Sequence, residues 1–559
     1  MAMRLPAIPG LRTSGHVSVP TPLHSPFPAR IGCVPRSALR GCLLIVGALL
    51  SASCARKPAL PDQWKEVRSN QIVHITAQIV RKSEIPDPLR SDYADCLYTA
   101  EVKIVGLARS DEKRAPREMV LALPAFQKRQ RSPEADFAAG ELIDAEIVPH
   151  EDAPEVIKTM QRSDQMDRFE LRVYDVVRSS HCAKALADFR PLPDSAFLPP
   201  TDEPVATAEP APVHYPWSAK AASDRRQCME RDIAMLQNAF ARHGSDWGRW
   251  DNELDPFYTD LETKTDAAAK GQLIQGHFGF HRLPLRKYKG LCEDGKAGVA
   301  GPLTMLKSMN EQLRQRGIDL IVVPFPTKED VDADVFSNLA PADGWYEPYR
   351  EQFMLLMLQA DIEVIDLVPA LRAERAHFPF LFYDYGDDHP ADGAIQVAAT
   401  EIAKRLQRYD LREGAPPLDL HLEPAEVERN GGAGLMHYPA TRVVTQDGKP
   451  LFTPDNSGSP VIIMGDSYTR IPHRYLAGGD GCAMPMHLAY KIGILPDSLA
   501  QMGGSNQAMR LLAREGGNYL AHRRVLVFVF AHTRLFGALA TGDSGSWDLT
   551  SLPPLKLEK

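Results

Sequence analysis

A serine hydroxyl becomes a nucleophile when a neighbouring base takes its proton and the backbone presents its oxygen to the substrate. Ser467 has the setting for that chemistry. It follows the run Val461-Ile462-Ile463-Met464-Gly465-Asp466 and is followed by Tyr468-Thr469. The four apolar residues read as a buried strand, and Gly465 permits a tight turn that a Cβ would obstruct. The chain after the turn can start a helix. The result is a strand-turn-helix arrangement, distinct from the Gly-x-Ser-x-Gly elbow. Gly542-Asp543-Ser544 repeats the triplet with no strand ahead of it, so context and not the triplet singles out Ser467. The best base lies upstream, in Tyr383-Asp384-Tyr385-Gly386-Asp387-Asp388-His389-Pro390. Pro390 can occupy the first position of a helix predicted over 391–406, whose apolar face is Ile395, Ala398, Ala399, Ile402 and Leu406. The positive end of that helix disfavours imidazolium and helps keep His389 a neutral proton acceptor. Asp387 and Asp388 both lie close enough in sequence to orient the ring and stabilise its charged form. A loop histidine is ordinarily surface decoration; the strand-borne serine is what favours function here.

The elements that must hold these groups alternate. Helices are predicted over 231–242, 303–316, 348–359, 391–406, 484–491 and 506–514, and strands over 318–324, 362–367, 461–465 and 525–530, with a hairpin-type entry over 271–280. This β-α-β order predicts an α/β domain over 226–545, with a mainly parallel sheet and helices on both faces. Ligands bind such sheets at the carboxyl ends of the strands, where Ser467 falls. Ahead of it, short alternating runs over 72–80, 97–105, 119–123, 142–148 and 169–177 predict a small all-β domain over 64–182, a barrel of the OB sort. No exposed aromatic platform is evident in it, so a spacer or docking role is expected. Residues 183–225, rich in Pro and Ala, read as a semi-stiff linker.

Composition bounds the rest. The 559 residues, 44% hydrophobic and 24% charged, suit several globular domains, and a net charge of −8 without zinc-finger spacing or a phosphate-binding glycine loop argues against nucleic acid. No His-x-x-x-His or dense His/Asp cluster appears, so neither a metal nor any other cofactor is expected. Arg36 and Arg40 precede the apolar run Leu43 to Leu50 and the small residues Ser51-Ala52-Ser53 before Cys54. That is a targeting signal over 1–54, too short to span a bilayer permanently. Its end resembles a bacterial lipobox with Cys54 as the lipidated residue, although Ser51 stands where leucine is expected. An ordinary cleaved signal is the competing reading, and either one exports the protein to the cell envelope. Five further cysteines, at 96, 182, 228, 292 and 482, form no Cys-x-x-Cys pair, and their odd number leaves at least one unpaired.

A Gly-Asp-Ser-Tyr after an apolar strand, preceded in the chain by Asp-x-His, resembles the alginate O-acetyltransferase branch of the SGNH hydrolase-like superfamily. Val322-Val323-Pro324-Phe325-Pro326-Thr327-Lys328 is similar to the branch's Val-Pro-x-Pro-x-Lys run, and Gly503-Gly504-Ser505-Asn506 and the strand leading to Arg534 extend the likeness over roughly 270–540. The resemblance implies Ser467 as nucleophile, His389 as base and Asp387 as the orienting acid. It implies an oxyanion hole from the Ser467 N–H, with Gly503 or Gly504 and the Asn506 side chain as further donors. Lys328, Tyr468 and Arg534 are implied as sugar or carboxylate contacts. The implied reaction is acetyl transfer to an exported polysaccharide, with an acyl donor and membrane-bound acyltransferase or export-complex proteins as partners. A carbohydrate esterase, or an inactive polysaccharide-binding lipoprotein, remains the alternative. Two departures stand out: Pro390 replaces the branch's tryptophan, and no sheet-rich carbohydrate module is evident after Arg534.

Overall fold

The computed structural model describes residues 61–88, 91, 93–158, 160–198, 218–244, 247–269, 297–345, 348–383, 389–414, 416–431, 434–452, 458–472, 478–502, 504–520 and 522–531. The signal region, the expected hairpin over 271–280, and Cys54, Cys292, Asp387, Asp388, Gly503 and Arg534 lie outside them. The described residues belong to a single compact unit.

Its first part is a five-stranded barrel: β1 (Val73–Lys82), β2 (Cys96–Leu107), β3 (Glu118–Gln127), β4 (Leu142–Pro149) and β5 (Val173–His181). β1, β2 and β3 form an antiparallel meander, and β4 pairs antiparallel with both β1 and β5. A parallel pairing of β3 with β5, Val120 opposite Val173, closes the cylinder. Alternation makes the barrel's inside. Val73, Ile75, Ala77 and Ile79 of β1 join Tyr98, Ala100, Val102, Leu121, Leu123, Ile143 and Ile147 in one buried cluster. Ala196 and Phe197 belong to the same cluster, which corrects the expected linker. A Pro-rich composition reads as spacer, yet Phe197 supplies an apolar anchor, so the chain to residue 198 folds onto the barrel. A groove of about 770 Å³ on the barrel, bordered by His74, Asp144, Glu146, Arg178 and Phe189, contains neither Ser467 nor His389.

The second part carries α1 (Ala219–His243), α2 (Trp247–Ala269), α3 (Ala297–Arg314), β6 (Asp319–Phe325), α4 (Lys328–Phe336), α5 (Pro348–Gln359), β7 (Glu363–Val364), α6 (Val368–Glu374), α7 (Asp392–Leu406), β8 (Leu420–Gly431), β9 (Gly434–Thr445), β10 (Val461–Gly465), α8 (Ser467–Arg470), α9 (Met484–Ile492), β11 (Asp497–Ala500), α10 (Ser505–Leu520) and β12 (Val525–Ala531). Five strands form one sheet in the order β11-β10-β12-β6-β7, and every pairing in it is parallel. The side-chain period of two divides its residues between two cores. Leu320, Val322, Ile462, Met464, Leu526 and Phe528 face helices that include α3, α5 and α10. Ile321, Val323, Val461, Ile463, Val527 and Val529 face α6, α7 and α9. The strand expected over 362–367 is only two residues long, and β8 and β9 form a separate antiparallel hairpin. Among the described residues no helix is long and apolar enough to cross a membrane.

Candidate active site

Because all five sheet strands run the same way, their carboxyl ends share one edge, and β10 delivers Ser467 there. Gly465 is obligatory: a Cβ on it would overlap the Val529 carbonyl oxygen on the adjacent β12 and the Thr469 hydroxyl. Asp466 then fixes the turn. One carboxylate oxygen accepts from the Tyr468 N–H at 3.0 Å, capping α8, and the other accepts from the Ala531 N–H at 3.0 Å, at the end of β12. Thr469 Oγ1 donates to the Val529 carbonyl at 3.3 Å. The turn is thereby bound to the central strand of the sheet, and Ser467 is buried to 6% exposure.

His389 reaches this serine from its place beside the Phe382–Pro390 bridge. The Tyr383 N–H donates to the His389 carbonyl at 3.2 Å and the Ala391 N–H to the Leu381 carbonyl at 2.8 Å. Pro390 is therefore spent on the bridge and does not open the helix. Ala391 is the N-cap and α7 begins at Asp392, which places His389 two residues ahead of the cap rather than directly before the first helical residue. His389 Nε2 lies 2.8 Å from Ser467 Oγ, across 78 residues of sequence. At that separation the hydroxyl can donate to Nε2 while Nδ1 keeps its proton. The Tyr468 ring packs between His389, with ring centroids 5.1 Å apart, and Phe325, at 5.5 Å.

The remaining expected residues divide. Lys328 opens α4 just beyond β6, at the same sheet edge, and is 4% exposed. Gly504 precedes α10 and Asn506 lies in its first turn. Tyr468, read as a sugar contact, is 2% exposed and lies in the core. Among the described residues no group of three or more His, Cys, Asp or Glu side chains could hold a metal ion, and Cys96, Cys182, Cys228 and Cys482 are free thiols.

Residues 290–478 match the family model of the SGNH hydrolase-like domain, acetyltransferase AlgX. This stretch is an SGNH hydrolase-like domain of the alginate O-acetyltransferase branch. It is the domain of an enzyme, an SGNH-type O-acetyltransferase. Solved structures similar to the chain include the O-acetyltransferase domain of Pseudomonas putida AlgJ, with a TM-score of 0.34 and 18% identity over 47% of this chain and 94% of that one. Pseudomonas aeruginosa AlgX gives 0.32 and 18% over 45% and 62%, and Bacillus cereus PatB1 with a sulfonyl adduct gives 0.28 and 10% over 44% and 92%. At these scores the structures add no argument to the family match. No curated protein matches the chain.

Around the serine of this SGNH-like domain stand residues that sequence reasoning missed. Asp466 was visible only as part of a triplet, although an aspartate just before a helix is a common cap. Arg470 and Gln501 gave no local signal at all. Arg470 Nη1 pairs at 2.6 Å with a Glu155 carboxylate oxygen, 315 residues away.

Proposed function

We propose that the chain is an O-acetyltransferase of the bacterial cell envelope that acetylates a polysaccharide hydroxyl through an acetyl-Ser467 intermediate. The observation that supports it is the 2.8 Å separation of Ser467 Oγ from His389 Nε2 in a domain of the AlgX type. In the first half-reaction His389 Nε2 takes the Ser467 proton as Oγ attacks the acetyl carbonyl. The tetrahedral oxyanion is held by the Ser467 N–H with Gly503 or Gly504 and Asn506 as further donors, and collapse expels the donor's leaving group, which receives the proton from His389. In the second, a sugar hydroxyl gives its proton to His389 and attacks the acetyl carbon. Collapse releases the ester, and Ser467 recovers the proton. Asp387 orients the imidazole in this reading, and Lys328 and Arg534 contact the polymer. The 1-2-3-5-4-1 strand order of the barrel favours the OB type for the first domain. Export, with lipidation at Cys54, places the enzyme at the envelope; membrane fractionation of wild type against Cys54→Ser tests that placement.

The chemistry is tested with p-nitrophenyl acetate as donor and an alginate oligosaccharide as acceptor. Ser467→Ala and His389→Ala are expected to lower kcat/KM by about a thousandfold or more, and mass spectrometry is expected to find acetyl on the sugar. A wild type no faster than both variants would sink the assignment. Acetate released with none on the sugar would redirect it to an esterase.

A further inference from the structure

The stretch between β4 and β5 joins the barrel to the SGNH-like domain beside the serine. It stays with the barrel through Gln161–Ser163, which pair parallel with Cys96–Tyr98 of β2. Glu155 lies at the start of this stretch and meets Arg470, the last residue of the one-turn helix that Ser467 begins. Their side chains are 17% and 7% exposed. Five residues on, the Met160 carbonyl accepts from the Gln501 side-chain amide. The backbone N–H of Gln501 in turn donates at 3.0 Å to the carbonyl of Gly465, two residues before the serine. One barrel segment thus holds the chain on both sides of the nucleophile turn.

We infer that Glu155, carried on the barrel, is a positioning residue for Ser467. The inference rests on the serine chemistry proposed above. Arg470 lies one helical turn from Ser467, so the two residues move together on α8. Without the Glu155 carboxylate a nearly buried guanidinium loses the charge that meets it at 2.6 Å, and the helix gains hydration in its place by shifting outward. Such a shift draws Ser467 Oγ out of hydrogen-bond reach of His389. The docking contact further along the segment serves as a comparison. Asp164 accepts from Arg514 of α10 at 2.9 and 3.1 Å, and both side chains are nearly buried, 6% and 5% exposed. That pair fastens barrel to domain through α10 rather than through α8.

The test is the rate at which phenylmethylsulfonyl fluoride modifies Ser467 in the full chain, followed by intact mass and peptide mapping, together with the Tm of each variant. Glu155→Gln is expected to slow labelling about tenfold to a hundredfold, the scale on which a small misplacement of a reacting group acts. Glu155→Asp restores most of the rate, and Arg470→Lys gives an intermediate one. Asp164→Asn lowers Tm more than Glu155→Gln while labelling close to the wild-type rate. Glu155→Gln labelling as fast as wild type would overturn the inference, as would Asp164→Asn slowing the reaction as much as Glu155→Gln does. Failure of Glu155→Gln to fold shifts the decision to Glu155→Asp and Arg470→Lys, which overturn it if both label at the wild-type rate. A wild type left unlabelled at Ser467 would remove the serine reading and this inference with it.

Discussion

At the scale of single residues, the serine owes its position to a carboxylate that does no chemistry in the proposed reaction. Asp466 satisfies two backbone N–H groups, those of Tyr468 and Ala531, which would otherwise be buried without partners. Leaving a buried donor unmet costs roughly 1–3 kcal/mol. Asp466→Ala is therefore expected to lose about 2–4 kcal/mol in urea unfolding and most of the esterase rate. Asp466→Asn keeps one acceptor oxygen and is expected to fall between the two. Equal stability of wild type and Asp466→Ala would show that the turn holds without its cap. The serine was legible because an apolar run ending in Gly-Asp-Ser has few physical interpretations. His389 was legible as a neighbour of the serine because Asp-Asp-His stood just before a periodic helix. The expected placement of Pro390 at the first helical position is not met, since Pro390 is bridged to Phe382 and the helix starts at Asp392.

At the scale of elements, α7, α9 and the β8–β9 hairpin meet around a buried histidine. His487 is 1% exposed; its Nε2–H donates to the Thr441 carbonyl at 3.1 Å, and Asp392 Oδ1 lies 3.7 Å away. Asp392 also accepts from the Thr441 N–H at 2.9 Å and from Gln396 at 2.7 Å. Burial holds the imidazole below its ordinary range, Lys491 acts in the same direction, and the Asp392 charge and the Thr441 bond oppose them. The unfolded chain therefore binds the proton first, near pH 6.5. The contribution of this contact is complete above that value and declines as pH falls below it. Tm is expected to drop between pH 7.5 and 5.5, and to drop less in His487→Gln, which keeps an N–H donor but cannot titrate. Identical slopes would exclude His487 as a source of the acid sensitivity. The β8–β9 hairpin, α2, α4 and α6 were the least readable part of the sequence. β8 and β9 expose Leu422 and Leu435 and contain Pro424 and Pro439, so they lack the one-sided alternation that marks a strand. α2 carries Pro256 within it, and α4 and α6 are short. β6, β10 and β12, apolar on both faces, were readable for the opposite reason.

At the scale of the molecule, barrel and α/β sheet are one unit rather than a domain and its spacer. Asp164 shows how firmly they are joined. Burial alone would raise its pKa, but the Arg514 charge and hydrogen bonds, the Met166 N–H and Arg510 hold the carboxyl below its ordinary range. That stabilisation is present above about pH 4 and is lost only as pH falls through the lowered folded value. Calorimetry at neutral pH is accordingly expected to show a single transition for residues 60–559. Two separated peaks would mean that the docking contacts contribute little. None of this joint could be read from composition, because Glu155, Asp164, Arg470 and Arg514 are unremarkable until the fold brings them together.

The staple between Asp466 and Ala531 also sets a clock. Ala531 ends β12, the middle strand of the sheet, yet β12 is the last of its strands to be synthesised. Until residues 525–531 emerge, β6 and β10 have no common neighbour, and each presents a bare strand edge of the kind that pairs wrongly. The barrel is complete long before. A half-made chain therefore consists of a finished barrel ahead of an open sheet, and the serine turn stays unfastened until residues 525–531 arrive to hold it.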